Sequence, residues 1–308
     1  MSQLSYAIIG TGAVGGLYGA RLQRAGREVH FLLHSDFNHV RRHGLRIDSI
    51  NGNFKLSRVN AYRRAPDMPR CDVVVVTLKA TANHLLPKIL PHVAKPGGVV
   101  IVLQNGLGAE SRVAKIVPQS TVIGGMSFLC SNKIGPGHVH HLDYGLLALA
   151  LYTRNGKPGG IIPIMKQIAS DFNKSGTPVK LIKDLVLARW KKLVWNIPFN
   201  GLSVLLNAST LDLVRNPGTR ALALALMEET VKGAAAFGRK IPQSFVKKMM
   251  HDTDRMAPYE TSMKLDHSRG KPMEIEAIYG EPLRAAASRG RSLPRITMLY
   301  QALCFLSR

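Results

Sequence analysis

In the stretch "RWKKLVWNIPFN", Lys192, Asn196 and Asn200 stand four residues apart. On an α-helix advancing about 100° per residue they share a face, and Ser203 and Asn207 join them within a stripe roughly 80° wide. Lys191 points about 100° away from its neighbour. An ammonium group beside amides can donate a proton to a carbonyl-bearing anion and orient it by hydrogen bonds. A solvent-facing stripe is the competing reading. Solvated helix faces favour Lys, Glu, Gln and Arg, however, and each Asn costs a few tenths of a kcal/mol in a helix. Trp195 and Phe199 border the stripe while Leu193, Val194, Ile197, Leu202, Leu205 and Leu206 occupy other directions, so the helix reads as buried almost all round, and Pro198 is expected to kink it.

A second constellation lies at the start of the chain. "SYAIIGTGAVGG" runs from an apolar strand into Gly10, Thr11, Gly12, Ala13, Val14 and Gly15, the GxGxxG spacing at a strand-to-helix turn. Gly10 permits the tight turn, Gly12 lets a pyrophosphate approach the backbone at a helix N-terminus, and Gly15 allows close packing of helix on strand. An acidic residue after the second strand would grip the ribose hydroxyls of NAD. His34 stands there instead, with Asp36 two residues on and Arg41, Arg42 and Arg46 following, so a 2′-phosphate would meet positive charge and NADP is favoured. The alternative for these arginines is a solvated helix face.

The elements that must carry these residues fall into two sets. The first half alternates short β-branched runs with helical patterns, as a parallel sheet wound with helices does. "SYAIIG", "EVHFLL", "GLRIDS", "FKLSRVNAY", "CDVVVVTLKA" and "GGVVIVLQNG" read as strands, followed by "TVIGGMSFLC" and an antiparallel "HVHHLDYGLLALAL"; a helix over 161–175 and a last strand "TPVKLI" complete the set. After Lys183 only helical spacing recurs. The expected fold is α/β, an N-terminal Rossmann-type doubly wound sheet over 1–182 and an all-helical C-terminal domain over 183–308.

Composition narrows the function classes. The 308 residues are 45% hydrophobic and 20% charged, an ordinary globular balance with no apolar run long enough to span a bilayer. No secretory signal is read at the N-terminus, and Cys71, Cys130 and Cys304 show no metal spacing, so a cytoplasmic protein without a bound metal is expected. The formal charge of +23, from 42 Lys and Arg against 19 Asp and Glu, is the unusual quantity. It raises nucleic acid or anionic ligands as partners. Residues 41–70 carry eight basic and two acidic side chains but few aromatics, which argues against stacking on bases.

The whole pattern resembles the ketopantoate reductase (2-dehydropantoate 2-reductase) family. "IGTGAVGG" resembles its cofactor loop, "VVVVTLKA" its strand ending in a lysine at Lys79, and "VLQNGLG" its asparagine turn at Asn105. "WKKLVWNIPFNGLSVLLN" is similar to its catalytic helix, and "TSMKLDHSRGKPMEIEAIYGE" to its serine segment at Ser262 and acidic motif at Glu274. The resemblance implies a catalytic Lys192 aided by Glu274, substrate contacts from Asn196, Asn200, Ser262 and Asn105, and cofactor contacts from the glycine turn, His34, Arg41, Lys79, Asn105 and Glu274. It implies reduction of 2-dehydropantoate to pantoate by NADPH in a cleft between the two domains, with a small 2-oxo acid as partner and a homodimer as one option. Many relatives carry an arginine where this chain has His34. Taken residue by residue, Glu274 could instead be a surface charge beside Glu276, and Ser262 a helix cap. A reductase of another branched 2-oxo acid, or a non-catalytic nucleotide-sensing or nucleic-acid-binding relative, are the alternative functions.

Overall fold

The computed structural model describes residues 3–256 and 260–307. Two compact units emerge, one of 1–104 with 109–185, the other of 105–108 with 186–308.

The first unit is built on a ten-stranded sheet. Strands β1 (Ser5–Ile9), β2 (Glu28–Leu32), β6 (Cys71–Val76) and β7 (Ala94–Val102) form its parallel centre, with β3 (Leu45–Ser49), β4 (Phe54–Leu56) and β5 (Asn60–Tyr62) outside them. The order is β4-β3-β9-β8-β7-β6-β1-β2-β5, where β8 (Thr121–Gly135) and β9 (His138–Leu151) form the expected antiparallel hairpin. Strand β10 (Val179–Ile182) pairs in parallel with β9. The period of two along the central strands divides the core. Tyr6, Ile8, Val73 and Val75 face a layer containing α1 (Ala13–Arg24) and α5 (Pro163–Lys174). Ala7, Ile9, Val74 and Val76 face the layer of α3 (Leu86–Val93) and α4 (Ala109–Ile116). Burial on both faces explains why these strands read as unbroken valine runs.

The run "FKLSRVNAY" does not form one strand. It divides into β4 and β5, which lie at opposite edges of the sheet. A three-residue edge strand has one neighbour and one half-buried face, so its local pattern cannot report where it pairs. The short helix α2 (Phe37–His43) links β2 to β3.

The second unit is helical: α6 (Leu185–Leu205), which begins at the last residue of the first unit, α7 (Thr210–Arg215), α8 (Pro217–Ala235), α9 (Gln243–Asp254), α10 (Ser262–Ser268), α11 (Glu281–Ala287) and α12 (Pro294–Leu306). Its core gathers around α6, with Trp190, Leu193, Val194, Ile197, Phe199 and Leu202 all buried. Helix α6 runs through Pro198 without interruption. It stops two residues before Asn207, which has a φ of 48°. The Ala208 N–H returns to the Ser203 carbonyl at 3.1 Å, closing a left-handed cap. Asn207 is therefore a helix terminator, exposed, and not the fifth member of the polar stripe. Among the described residues no helix is long and apolar enough to cross a membrane.

Candidate functional site

In the first unit the glycine turn follows β1 directly. Gly10 has a φ of +103°, and a Cβ there would come within 2.7 Å of the Leu78 backbone nitrogen. A Cβ on Gly15 would meet the Gly10 carbonyl at 2.3 Å and the Thr77 hydroxyl at 2.4 Å, so helix and strand pack closer than any side chain permits. Gly12 is different: nothing lies within 4 Å of its Cβ position. Gly12 is also the N-cap of α1 with no side-chain cap, and the first turn of that helix carries no acid. An open backbone approach at an uncapped, positively polarised helix end suits a pyrophosphate. Thr11 turns back instead, its hydroxyl donating to the Leu32 carbonyl at 3.1 Å, while Ala13 and Val14 open the helix.

Beyond β2, His34 is exposed, and so are Arg41 and Arg42 on α2. Asp36 is buried and spoken for: Lys133 reaches it at 2.6 Å and the Gly137 N–H donates to it at 2.9 Å. Burial alone would raise its pKa, but those two hydrogen bonds outweigh burial and hold the carboxyl below its usual range. Arg46 is on β3, paired with Asp48 at 3.0 Å. Lys79, exposed, is the N-cap of the 3₁₀ turn Ala80–Leu85 past the end of β6.

In the second unit the polar stripe is real but not solvated. Asn196 and Asn200 are 6% and 3% exposed within the 21-residue α6. Two amides on one face of a largely buried helix offer paired donors and acceptors that suit a polar ligand. Ser203 closes the stripe, its hydroxyl 3.1 Å from the Asn200 carbonyl and 2.7 Å from the Thr261 hydroxyl. Lys192 is partly buried, and burial first, then the Arg189 guanidinium, bring its pKa down to about 7 against the opposing pull of Glu274. An ammonium group with that pKa is poised to give up a proton near neutrality. Lys191 leads elsewhere, its ammonium 5.1 Å from the centre of the Phe245 ring.

Glu274 is 8% exposed and receives a hydrogen bond from the Asn105 side-chain amide at 3.0 Å. It is not the surface charge its neighbour Glu276 is. Asn105 belongs to the helical unit although it follows a strand of the sheet. The Leu107 N–H donates to the Ala277 carbonyl at 3.0 Å, and a Cβ on Gly106, where φ is +82°, would fall 1.9 Å from that oxygen. Tyr279, on the π-helical turn Glu276–Gly280, donates to the Ile197 carbonyl of α6 at 2.9 Å. Gly201 makes this contact possible, because a Cβ there would lie 2.6 Å from the tyrosine oxygen. The turn that follows Glu274 is thus pinned to the helix that carries Lys192. Ser262 does not cap its helix; Thr261 does, accepting from the Lys264 N–H at 3.2 Å, while Ser262 is the exposed first residue of α10.

Arg189, Thr261 and Tyr279 had not been singled out from the sequence. Arg189 was recoverable, since seven residues before Asn196 places it within about 20° of that residue on a helix. Tyr279 and Thr261 act through contacts with a helix some 60 to 80 residues away in the chain, and no local pattern announces such contacts.

A mixed, mostly parallel sheet opened by a glycine turn, followed by a helical unit with a lysine and two amides on its longest helix, defines a two-part dinucleotide-fold architecture. The family model for ketopantoate reductase PanE/ApbA matches residues 6–153, and that for its C-terminal part matches residues 184–306. A 2-dehydropantoate 2-reductase of Nostoc sp. is 53% identical over 306 residues, covering 99% of this chain and 96% of its own. The crystal structure of a 2-dehydropantoate 2-reductase from Geobacter metallireducens superposes with a TM-score of 0.93 at 38% identity, over 97% of this chain and 99% of that one. A D-mandelate dehydrogenase solved with NADH and anilino(oxo)acetate shares the fold, with a TM-score of 0.88 at 19% identity over 99% of this chain and 98% of that one. The chain belongs to the ketopantoate reductase family.

Proposed function

We propose that this protein reduces 2-dehydropantoate to pantoate with NADPH, and that residues 1–182 bind the cofactor while 183–308 carry the substrate chemistry. The observation that carries the reading is the α6 stripe: a lysine whose pKa burial brings down to about 7, on the face that also bears two buried amides. When bound, the nicotinamide supplies the hydride that goes to C2 of the oxo acid. Lys192, protonated, steadies the oxygen that gains charge and donates the proton that makes it a hydroxyl. Asn196, Asn200 and Ser262 orient the polar groups of the substrate. Glu274, held by Asn105, accepts from the new hydroxyl and keeps the lysine's charge in balance.

On the cofactor side, Gly10 to Gly15 take the pyrophosphate, Lys79 and Asn105 supply further cofactor contacts, and His34 with Arg41 holds the 2′-phosphate. The engagement of Asp36 by Lys133 and Gly137 supports NADP over NAD, because the nearest acid after β2 is not available to a ribose diol. Three free cysteines support a reducing, cytoplasmic setting.

The test is NADPH oxidation across a panel of branched 2-oxo acids, with Lys192→Ala and Lys191→Ala alongside the native chain. 2-Dehydropantoate is expected to give the highest kcat/KM. Lys192→Ala should lose about a thousandfold or more in turnover with little loss of NADPH binding, and Lys191→Ala should stay near native. Preference for another oxo acid would overturn the substrate, and equal effects of the two lysines would overturn the mechanism.

A further inference from the structure

At the far end of α1 from the glycine turn, Arg21 is 3% exposed. Its hydrogen-bond partners are all neutral: the Gly176 carbonyl at 3.4 Å, the Ser49 hydroxyl at 3.5 Å and His141 Nδ1 at 3.2 Å. Among the described residues no carboxylate joins them. A guanidinium taken out of water without an anion is among the costlier arrangements a fold can hold, and buried charges are ordinarily paired. Capping the negative end of the helix dipole does not require it, because an exposed arginine such as Arg24 serves that purpose without desolvation.

The surroundings supply what an anion would use. Arg21 opens onto a cavity of about 140 Å³ whose walls also include Arg24, Ser49, Asn51, Ser175 and Gly176. Arg24 is fixed there by stacking, its guanidinium carbon 4.1 Å from the centre of the Phe54 ring. His141 is no counter-ion. Its Nδ1 accepts from both Arg21 and the Ser49 hydroxyl, the latter at 2.8 Å, and its Nε2 is 3.0 Å from the Tyr144 carbonyl, so the ring is neutral with the proton on Nε2. Burial, and then Arg21 itself, keep the histidine pKa below its usual range. The cavity therefore presents two fixed guanidinium groups and the Asn51 amide, with no acid among its lining residues, while the Ser49 and Ser175 hydroxyls donate to His141 and to the Phe172 carbonyl.

We propose that this cavity is an anion site for a phosphate group, separate from the dinucleotide turn, with Arg21 and Arg24 as its two charged ligands. Two guanidinium forks with the Asn51 amide beside them match a tetrahedral dianion better than a planar monoanion. The phosphate group is either inorganic phosphate or the terminal group of a phosphomonoester.

Binding is measured by calorimetry and thermal shift with inorganic phosphate and, separately, glycerol phosphate, at constant ionic strength, on the native chain, Arg24→Ala, Arg21→Met and Arg41→Ala. The native chain and Arg41→Ala are expected to bind phosphate and to melt higher in its presence, whereas Arg24→Ala binds about tenfold more weakly. Arg21→Met should show no phosphate-dependent shift and should melt no lower than the native chain without phosphate, since it removes an uncompensated buried charge. Tighter binding of glycerol phosphate would assign the monoester, and tighter binding of phosphate the free ion. The proposal falls if neither anion binds, if Arg24→Ala binds as the native chain does, if Arg41→Ala alone abolishes binding, or if Arg21→Met melts well below the native chain without phosphate.

Discussion

The protonation of Lys192 sets how the reduction must respond to pH. Its pKa of about 7, far below the 10.5 of an ordinary lysine, makes the proton donor scarce in mild alkali. Above pH 7 kcat/KM for reduction should fall about tenfold per pH unit, reaching about a hundredth of its plateau at pH 9, whereas pantoate oxidation should rise over the same range. Because kcat/KM reports the free enzyme, the relevant lysine is the one seen without substrate. The causes of the shift can be separated. Arg189 sits one helical turn away; two like charges roughly 6 Å apart repel by about 0.7 kcal/mol in water and about 3 kcal/mol at an effective dielectric near 20. Arg189→Met should therefore move the alkaline limb up by about half to two pH units, and Glu274→Gln should move it down. Stopped-flow NADPH oxidation between pH 6 and 10 reads all three profiles. A native profile that stays flat until pH 10 would refute the reasoning, as would an Arg189→Met limb that does not move.

The same burial costs stability. The folded chain holds the Lys192 proton less tightly than the unfolded one, so the penalty is full below pH 7 and relieved as the pH rises toward 10.5. Lys192→Met should raise stability at pH 7 by about 1–3 kcal/mol in denaturant unfolding, while abolishing turnover. Arg41→Ala should raise KM for NADPH about tenfold and leave KM for NADH unchanged, read by steady-state kinetics with both cofactors. Tyr279→Phe removes the hydrogen bond to the Ile197 carbonyl and should cost about 1–2 kcal/mol of unfolding free energy.

The parts of the molecule legible in the sequence were those whose physics is local. Gly10, Gly12 and Gly15 announce their turn because backbone sterics act within a few residues, and the valine runs of β6 and β7 announce burial on both faces. The α6 stripe was legible as geometry, but whether it faced solvent was not, since that depends on what packs around it. Asn207 read as part of the stripe because angular counting cannot see where a helix ends. Asp36 stands two residues past the position where an acid would grip the ribose, and only its partners at 133 and 137, about a hundred residues on, turn it inward. Glu274 and Glu276 are alike in composition and opposite in exposure, a difference set by the π-helical turn and its hold on α6.

The segment Asn105–Gly108 has a consequence for synthesis. It belongs to the helical unit yet is made before everything else in it, and its partner Ala277 follows roughly 170 residues later. At translation rates of about 5–20 residues per second the ribosome leaves this segment waiting on the order of ten to thirty seconds. A fragment begun at residue 183 would never receive it, so Glu274 would have no Asn105 and the Ala277 carbonyl no donor. The helical half is thus not a separable module that could be expressed alone or exchanged between relatives by a single crossover near residue 183. Four residues from the middle of the sheet half have to travel with it.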